Sequence, residues 1–234
     1  MKIDSLDFYR EHTRRYPDLS LLSHESTHSV YGYSSHPRLR NDMDLLHRIV
    51  ELAQGQRSLD AGCGAGARDV HLLHTWGHEY FGIDAVDENI SLGKELHPEI
   101  ADRLQVANIG KTLPFRDGYF DFVTCNAVIQ HVPVVTTEKT TLPEFTRVLA
   151  PGGVLQLMFK VGSGIVTMED EAYGAGSVER TFQLYNEHRL LDVLEESGCS
   201  LIDADSGGNL GGLMYFDDPK PMRYCVFWVR KNQA

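Results

Sequence analysis

The residues best placed to do chemistry in this chain begin with Asp60-Ala61-Gly62-Cys63-Gly64-Ala65-Gly66. A short apolar run enters this stretch, and Val70, Leu73 and Trp76 leave it at helical spacing. The pattern predicts strand, tight turn, helix. Glycines let the backbone turn sharply and let a ligand lie against it with no Cβ in the way. The helix start beyond offers unpaired N–H groups and a positive dipole end. Together these features make a nucleotide or nucleoside site. A second apolar run, Glu79-Tyr80-Phe81-Gly82-Ile83-Asp84, ends in an acid about 20 residues past Gly64, where a carboxylate can accept both hydroxyls of a ribose. Two histidine patterns also stand out. His24-Glu25-Ser26-Thr27-His28 has the spacing of a zinc-hydrolase helix, but its Ser and Thr neighbours are poor helix formers, so it reads as a chance match. His71, His74 and His78 read as a partly exposed helix face, and no metal is expected.

The elements that must position these groups follow from periodicity. Met43, Leu46, Val50 and Ala53 make a helix face that ends at Gly55. Strand and helix signals then alternate to about Phe159, which predicts βαβ units and a parallel sheet. Leu104 to Ile109 reads as a third strand, Tyr119 to Asn126 as a fourth and Val154 to Phe159 as a fifth. Residues 160–181 hold glycines and an acidic cluster and read as an insertion or flexible loop. Asn186 caps a helix carrying Leu190, Val193 and Leu194, closed by Gly198. Leu201 to Ala204 reads as a strand, Ser206 to Gly212 as a mobile loop, and Tyr224 to Val229 as the last strand.

Gly62, Gly64 and Ala67 fit the permissive G-x-G-x-x-G/A pattern of dinucleotide enzymes, which keeps an NAD-linked oxidoreductase open. Asp60 adds more, because D-x-G-x-G-x-G resembles motif I of the class I S-adenosylmethionine (SAM) methyltransferases. An acid there suits a ligand carrying an ammonium and a sulfonium, and suits a pyrophosphate less well. Tyr119 to Asn126 resembles motif IV of that family, and Arg147-Val148-Leu149-Ala150-Pro151-Gly152-Gly153 is similar to its R-V-L-x-P-G-G turn. The resemblance runs through roughly residues 45–160. It implies an α/β, Rossmann-like, seven-stranded, mostly parallel sheet of order 3-2-1-4-5-7-6 with the last strand antiparallel, helices on both faces and an N-terminal helical lid. Residues 1–40 would be that lid, and 41–234 the SAM-binding domain with a substrate-side insertion at 160–181. SAM would be held by Asp60, Ala61, Gly62, Cys63, Gly64 and Gly66, by Asp84 and Ala85, by Asn108 and Ile109, and by Asn126. His131 follows the methyl-proximal strand and is the candidate general base. Tyr31, Tyr33 and Lys160 are the candidate substrate contacts.

Composition sets further bounds. The chain has 234 residues, 42% of them hydrophobic and 24% charged, which suits one globular domain with a sizeable core. A net charge of −11 with scattered Lys and Arg argues against nucleic acid or an anionic membrane as partner. The sequence has no long apolar run and no signal-peptide pattern, and its four cysteines are widely spaced. The expectation is a cytoplasmic protein with reduced thiols, acting as monomer or homodimer on a small-molecule acceptor at oxygen or nitrogen. A SAM-binding protein without transferase activity, regulatory or cyclase-like, is the alternative.

Overall fold

The computed structural model describes residues 4–15, 34–170, 178–217 and 222–233. The chain opens with helix α1 (Ser5–Arg15) and, after an intervening stretch, α2 (Asp42–Leu52). Asn41 caps α2 by accepting from Asp44 N while the Asp44 carboxylate accepts from Asn41 N, a reciprocal capping box. The core then alternates: β1 (Arg57–Ala61), α3 (Arg68–Thr75), β2 (Glu79–Asp84), α4 (Asp87–Leu96), β3 (Leu104–Val106), β4 (Phe120–Asn126), α5 (Leu142–Val148) and β5 (Leu149–Lys160). A hairpin of β6 (Gly164–Asp170) and β7 (Val178–Leu184) interrupts it. Helix α6 (Glu187–Glu196), β8 (Cys199–Leu201), β9 (Met214–Asp217) and β10 (Arg223–Lys231) complete the chain.

The main sheet runs β3-β2-β1-β4-β5-β10-β8, parallel except that β10 is antiparallel to both neighbours. In topological terms this is the expected 3-2-1-4-5-7-6 order with one strand added. Strand β9 shares the outer edge of β10 with β8, pairing Arg223 to Val226 while β8 pairs Val229 to Lys231. Leu59 and Ala61 of β1 are fully buried, and apolar helix faces cover both sides of the sheet. Leu45, Leu46, Val70, Leu73 and Ile90 from α2, α3 and α4 pack in one core cluster, and Leu142, Phe145, Leu190 and Leu194 from α5 and α6 pack in the other.

Several boundaries depart from the pattern reading, each for a local reason. Strand β3 stops at Val106 because Asn108 turns the chain, its Oδ1 accepting from Gly110 N at 2.8 Å. Strand β5 starts earlier than expected and passes through Pro151-Gly152-Gly153 as a bulge: Phe120 pairs with Leu149, but Phe122 already pairs with Val154. Gly152 takes a φ of +77° there. Residues 160–181 are not a loop throughout, since β6 and β7 pair from Gly164–Leu184 to Asp170–Val178. Their glycines Gly162 and Gly164 form the entry, with φ of +143° and +80°. The sequence after the Ser206–Gly212 stretch had shown no strand; Met214 and Phe216, buried at alternate positions, make β9.

Candidate active site

A cavity of about 630 Å³ opens beyond the carboxyl ends of β1, β2 and β4, where open α/β sheets bind ligands. The glycine loop forms its floor, and its glycines serve different ends. A Cβ on Gly62 would lie 2.3 Å from Val128 Cγ2, whereas one on Gly64 would meet nothing within 4 Å. Gly62 therefore allows the β1 and β4 ends to pack, and Gly64 leaves the cavity open; both have positive φ, +105° and +67°. Gly62 N and Cys63 N donate to Ile83 O at 2.8 and 3.0 Å, so the loop is stitched to β2. The two non-glycine residues with left-handed backbone among the described residues, Ala67 and Ala127, both flank this rim.

Asp84 joins the two strand ends. Its Oδ2 accepts from Gly64 N at 3.0 Å and its Oδ1 from Val86 N at 2.8 Å. Burial nonetheless raises its carboxyl above the usual range, against the pull of those bonds. Asp60 is only 6% exposed. Thr124 Oγ1 donates to its Oδ1 at 3.2 Å, and the Tyr80 hydroxyl lies 2.5 Å from that Oγ1. Burial first, then the charge of Asp69, pushes the Asp60 carboxyl well up; Thr124 and Arg68 pull it back, and Asp84 adds repulsion. Arg68 is itself paired with Asp42 at 2.6 Å and with Asp69 at 2.7 Å. Asp60, Asp69 and Asp84 thus leave the cavity with an excess of negative charge that a cationic ligand would relieve.

Asn126 and Asn108 are oriented by their neighbours. Trp228 Nε1 donates to Gln156 Oε1 at 2.8 Å, and Gln156 Nε2 donates to Asn126 Oδ1 at 3.0 Å. That relay leaves Asn126 to bring amide N–H donors to the cavity wall. Asn108 Oδ1 serves Gly110 N and keeps its second lone pair. The Ile109 carbonyl is held by Thr141 Oγ1 at 3.0 Å.

His131 sits on a short 3₁₀ turn, Ile129–His131, which the Tyr185 hydroxyl anchors at 2.8 Å from Ile129 O and 2.6 Å from Val132 O. Arg180 Nη2 donates to Tyr9 OH at 2.6 Å, and Tyr9 OH lies 3.3 Å from His131 Nε2. Arginine can only donate, so Tyr9 accepts from it and keeps its own proton available to Nε2. The His131 Nδ1–H then points to Ser5 Oγ at 3.1 Å. Burial, then the charges of Arg180 and Lys160, push His131 down to about 3. This environment disfavours the imidazolium that a general base must become. The geometry gives His131 a hydrogen-bonding part that links the β4 end to α1.

Of the sequence-predicted residues, Asp60, Gly62, Cys63, Gly64, Asp84, Ala85, Asn108, Ile109, Asn126 and His131 come together on the cavity wall. Three do not. Ala61 is fully buried in β1, and Gly66 backs onto Gly93 of α4, so both shape the loop from behind. Lys160, 2% exposed, lies behind the wall with its Nζ 4.2 Å from the Tyr224 ring and 5.1 Å from that of Phe182. Tyr31 and Tyr33 lie outside the described residues, as do His24 and His28. The sequence reading missed Ser5, Tyr9 and Thr13, which line the cavity from α1. Their i, i+4, i+8 spacing puts them on one helix face and was a usable signal. It also missed Arg68 and Asp69, which follow the glycine loop directly.

Comparison with known proteins bears on the same residues. Residues 59–157 match the family described as a methyltransferase domain. That stretch is under half of the chain. It spans β1 to most of β5 and includes Asp60, Asp84, Asn108, Asn126 and His131, whereas α1, the hairpin and β8 to β10 lie outside the match. A demethylmenaquinone methyltransferase of Staphylococcus saprophyticus is 31% identical over 108 residues, 45% of each chain. The chain therefore matches about half the length of that relative. Among solved structures, the [4+2]-cyclase SpnF superposes with a TM-score of 0.64 at 16% identity, covering 100% of this chain and 98% of its own. The 1,6-didemethyltoxoflavin-N1-methyltransferase of Burkholderia thailandensis, solved with its substrate and S-adenosylhomocysteine, gives 0.56 at 16% identity, covering 81% and 76%. Both likenesses are of fold. No helix among the described residues is long and apolar enough to cross a membrane.

Proposed function

We propose that the chain is a SAM-dependent methyltransferase acting on an oxygen or nitrogen of a small-molecule acceptor. The observation that carries this reading is the excess carboxylate charge of Asp60, Asp69 and Asp84 around a glycine loop at the strand ends. A pyrophosphate would meet repulsion there, whereas a ligand with ammonium and sulfonium charges would be held. The residues present fit SAM. Asp84 faces the cavity as a ribose acceptor, Asp60 and Asp69 suit the ammonium, Gly64 leaves open space against the backbone, and Asn108 retains a lone pair for the adenine amino group.

When bound, SAM supplies the electrophilic methyl group and the leaving group. The chain's own task is to align the acceptor and exclude water. Ser5, Tyr9 and Thr13 of α1 close one side of the cavity, and Asn126 offers donors that hold an acceptor oxygen or nitrogen in place. The cations beside His131 favour acceptors that arrive neutral or anionic. Alignment then carries the rate, with no strong protein base required. Free thiols at Cys63, Cys125, Cys199 and Cys225 fit the reducing cytoplasm.

The test is mass spectrometry of a metabolite pool incubated with the protein and methyl-labelled SAM. The expected product gains one labelled methyl group, with S-adenosylhomocysteine formed in equal amount. A second reading, cyclase-like chemistry with SAM as scaffold, draws on the full-length likeness to the [4+2]-cyclase and on the weak basicity of His131. Tight SAM binding with no S-adenosylhomocysteine released would favour it.

A further inference from the structure

Gln156 of β5 and Trp228 of β10 are fully buried, and neither lines the cavity. The sheet register puts them on one face: Trp228 pairs with Gln156, and Gln156 with Thr124, two residues before Asn126 on β4. An amide inside an apolar sheet face is unfavourable unless both of its ends are bonded. Here Trp228 Nε1 donates to Gln156 Oε1 at 2.8 Å, and Gln156 Nε2 donates to Asn126 Oδ1 at 3.0 Å. An indole N–H can only donate, so Trp228 admits one orientation of Gln156, and Gln156 then admits one orientation of Asn126. Turning both amides over would set the indole N–H against the Gln156 NH₂ group. Asn126 Nδ2 is left at the cavity wall, where it is not a buried atom, and no group among the described residues accepts from it.

We infer that Trp228 and Gln156 are positioning residues that lock Asn126 as a donor, so that the β4 end of the cavity selects ligand groups offering a lone pair and rejects groups that are themselves N–H donors. The inference rests on the SAM reading of the cavity and narrows its acceptor. The reacting oxygen or nitrogen meets Asn126 with a lone pair free, as a phenolate, a carboxylate or an unprotonated amine does and an ammonium does not. The polarity of the site is thereby set by an indole two side chains away from the ligand. With Trp228 or Gln156 removed, Asn126 is free to turn and present Oδ1 instead.

The test compares two probes in calorimetric titrations of the full chain. S-adenosylhomocysteine offers sulfur lone pairs; sinefungin carries an amine-bearing carbon in place of the methylsulfonium. The parent should prefer S-adenosylhomocysteine. Gln156→Met keeps an unbranched side chain in the core, and Trp228→Phe keeps an aromatic one. Both should hold S-adenosylhomocysteine as the parent does and gain on sinefungin by about 2–12-fold, the span of one hydrogen bond. Asn126→Ala should lose the same discrimination. The indole N–H resonances give a second readout, since Trp76 is 39% exposed and Trp228 fully buried. The Trp228 signal should lie downfield and resist exchange; Gln156→Met should move it upfield, and Asn126→Ala should leave it near its parent position. If Trp228→Phe does not fold, Gln156→Met and Asn126→Ala decide the question. An unchanged preference between the probes in Gln156→Met overturns the proposal, as does a Trp228 signal that Gln156→Met does not move. A parent that binds neither probe would sink the SAM reading and this refinement with it, a failure told apart because the indole signals need no ligand.

Discussion

The two walls of the cavity are built in different ways. The glycine-loop wall is knitted by backbone: Gly62 N and Cys63 N to Ile83 O, and Gly64 N and Val86 N to Asp84. Among the described residues, the α1 wall hydrogen-bonds and ion-pairs to the core through side chains alone. Thr13 Oγ1 donates to Asn89 at 2.7 Å, Ser5 and Tyr9 meet His131, and Arg10 and Arg14 pair with Glu88. Backbone stitching within neighbouring strands is cooperative with the sheet, whereas side-chain contacts of a terminal helix open separately. We propose that one wall holds its shape without a ligand and that the other can leave and return.

The largest expected effect probes the rigid wall. Gly62→Val forces a Cβ onto Val128 and a branched residue into φ +105°. Overpacking and backbone strain together should cost roughly 2–6 kcal/mol, read as a loss of folded protein in urea titration. Gly64→Ala meets no neighbour and should cost only about 1–2 kcal/mol for its left-handed backbone, while its methyl group intrudes on the ligand. Equal destabilisation by the two substitutions would remove the distinction between packing and ligand-facing glycines.

The acids of that wall come next. Asp84→Ala should weaken SAM binding by on the order of 1.5–3 kcal/mol through lost charge-assisted bonds, measured by calorimetry. Asp60 should behave differently. Its folded carboxyl is raised, so the folded state holds its proton more tightly than the unfolded chain. The stability this provides is complete below pH 3.8 and is lost as pH rises through the folded value. Asp60→Asn should therefore stabilise the ligand-free protein at neutral pH while weakening its hold on SAM. A variant that loses both stability and affinity would mean that Thr124 and Arg68 outweigh the burial of Asp60.

These contrasts explain what could be read from the sequence. The rigid wall was legible because its work is done by residue type at fixed local spacing: the alternate glycines announce a tight turn, and Asp60 and Asp84 announce acids that face a ligand. Apolar periodicity exposed the alternation of strands and helices, while the sheet order came only from the family resemblance. The other wall was legible only as the N-terminal helical lid that the family resemblance implies. Its contacts join residues far apart in sequence, such as Arg180 to Tyr9 and Ser5 to His131, and no local pattern encodes them. His131 shows the gap most clearly. Its position could be read, but its lowered basicity comes from burial first and then from Arg180 and Lys160, which the hairpin and β5 bring in from elsewhere.

His131 links the two walls, and its expected effect is intermediate. A general base would show a loss in turnover of about 10²–10⁴ in His131→Ala; the alignment mechanism predicts less than tenfold. Stability carries a separate signature. His131 falls from 6.5 to about 3 in the folded state, so the unfolded chain binds a proton first as pH drops. Stability is full above pH 6.5 and is lost progressively towards pH 3, by on the order of a few kcal/mol at most. His131→Gln should flatten that acid limb in denaturation measured across pH 3–7. An unchanged limb would place the acid sensitivity in other groups.

The smallest expected effect concerns the seating of α1, which we propose acts as a lid. Its ion pairs use partly exposed partners: Arg10 and Arg14 are 35% and 59% exposed, against 15% for Glu88. Such pairs contribute about 0.2–1 kcal/mol each and weaken with salt. Hydrogen exchange across Ser5–Arg15 should therefore quicken several-fold in Glu88→Gln or at raised ionic strength, while the glycine loop stays unchanged. Methyl transfer needs water excluded and the cofactor free to enter, so a closing element has to move. S-adenosylhomocysteine should slow exchange in α1, and an acceptor should slow it further. If the ligand protects the glycine loop but leaves α1 exchanging as before, α1 is a fixed wall and cofactor entry must use another route. If salt quickens exchange in both walls together, the two open as one unit and the contrast between backbone and side-chain attachment fails.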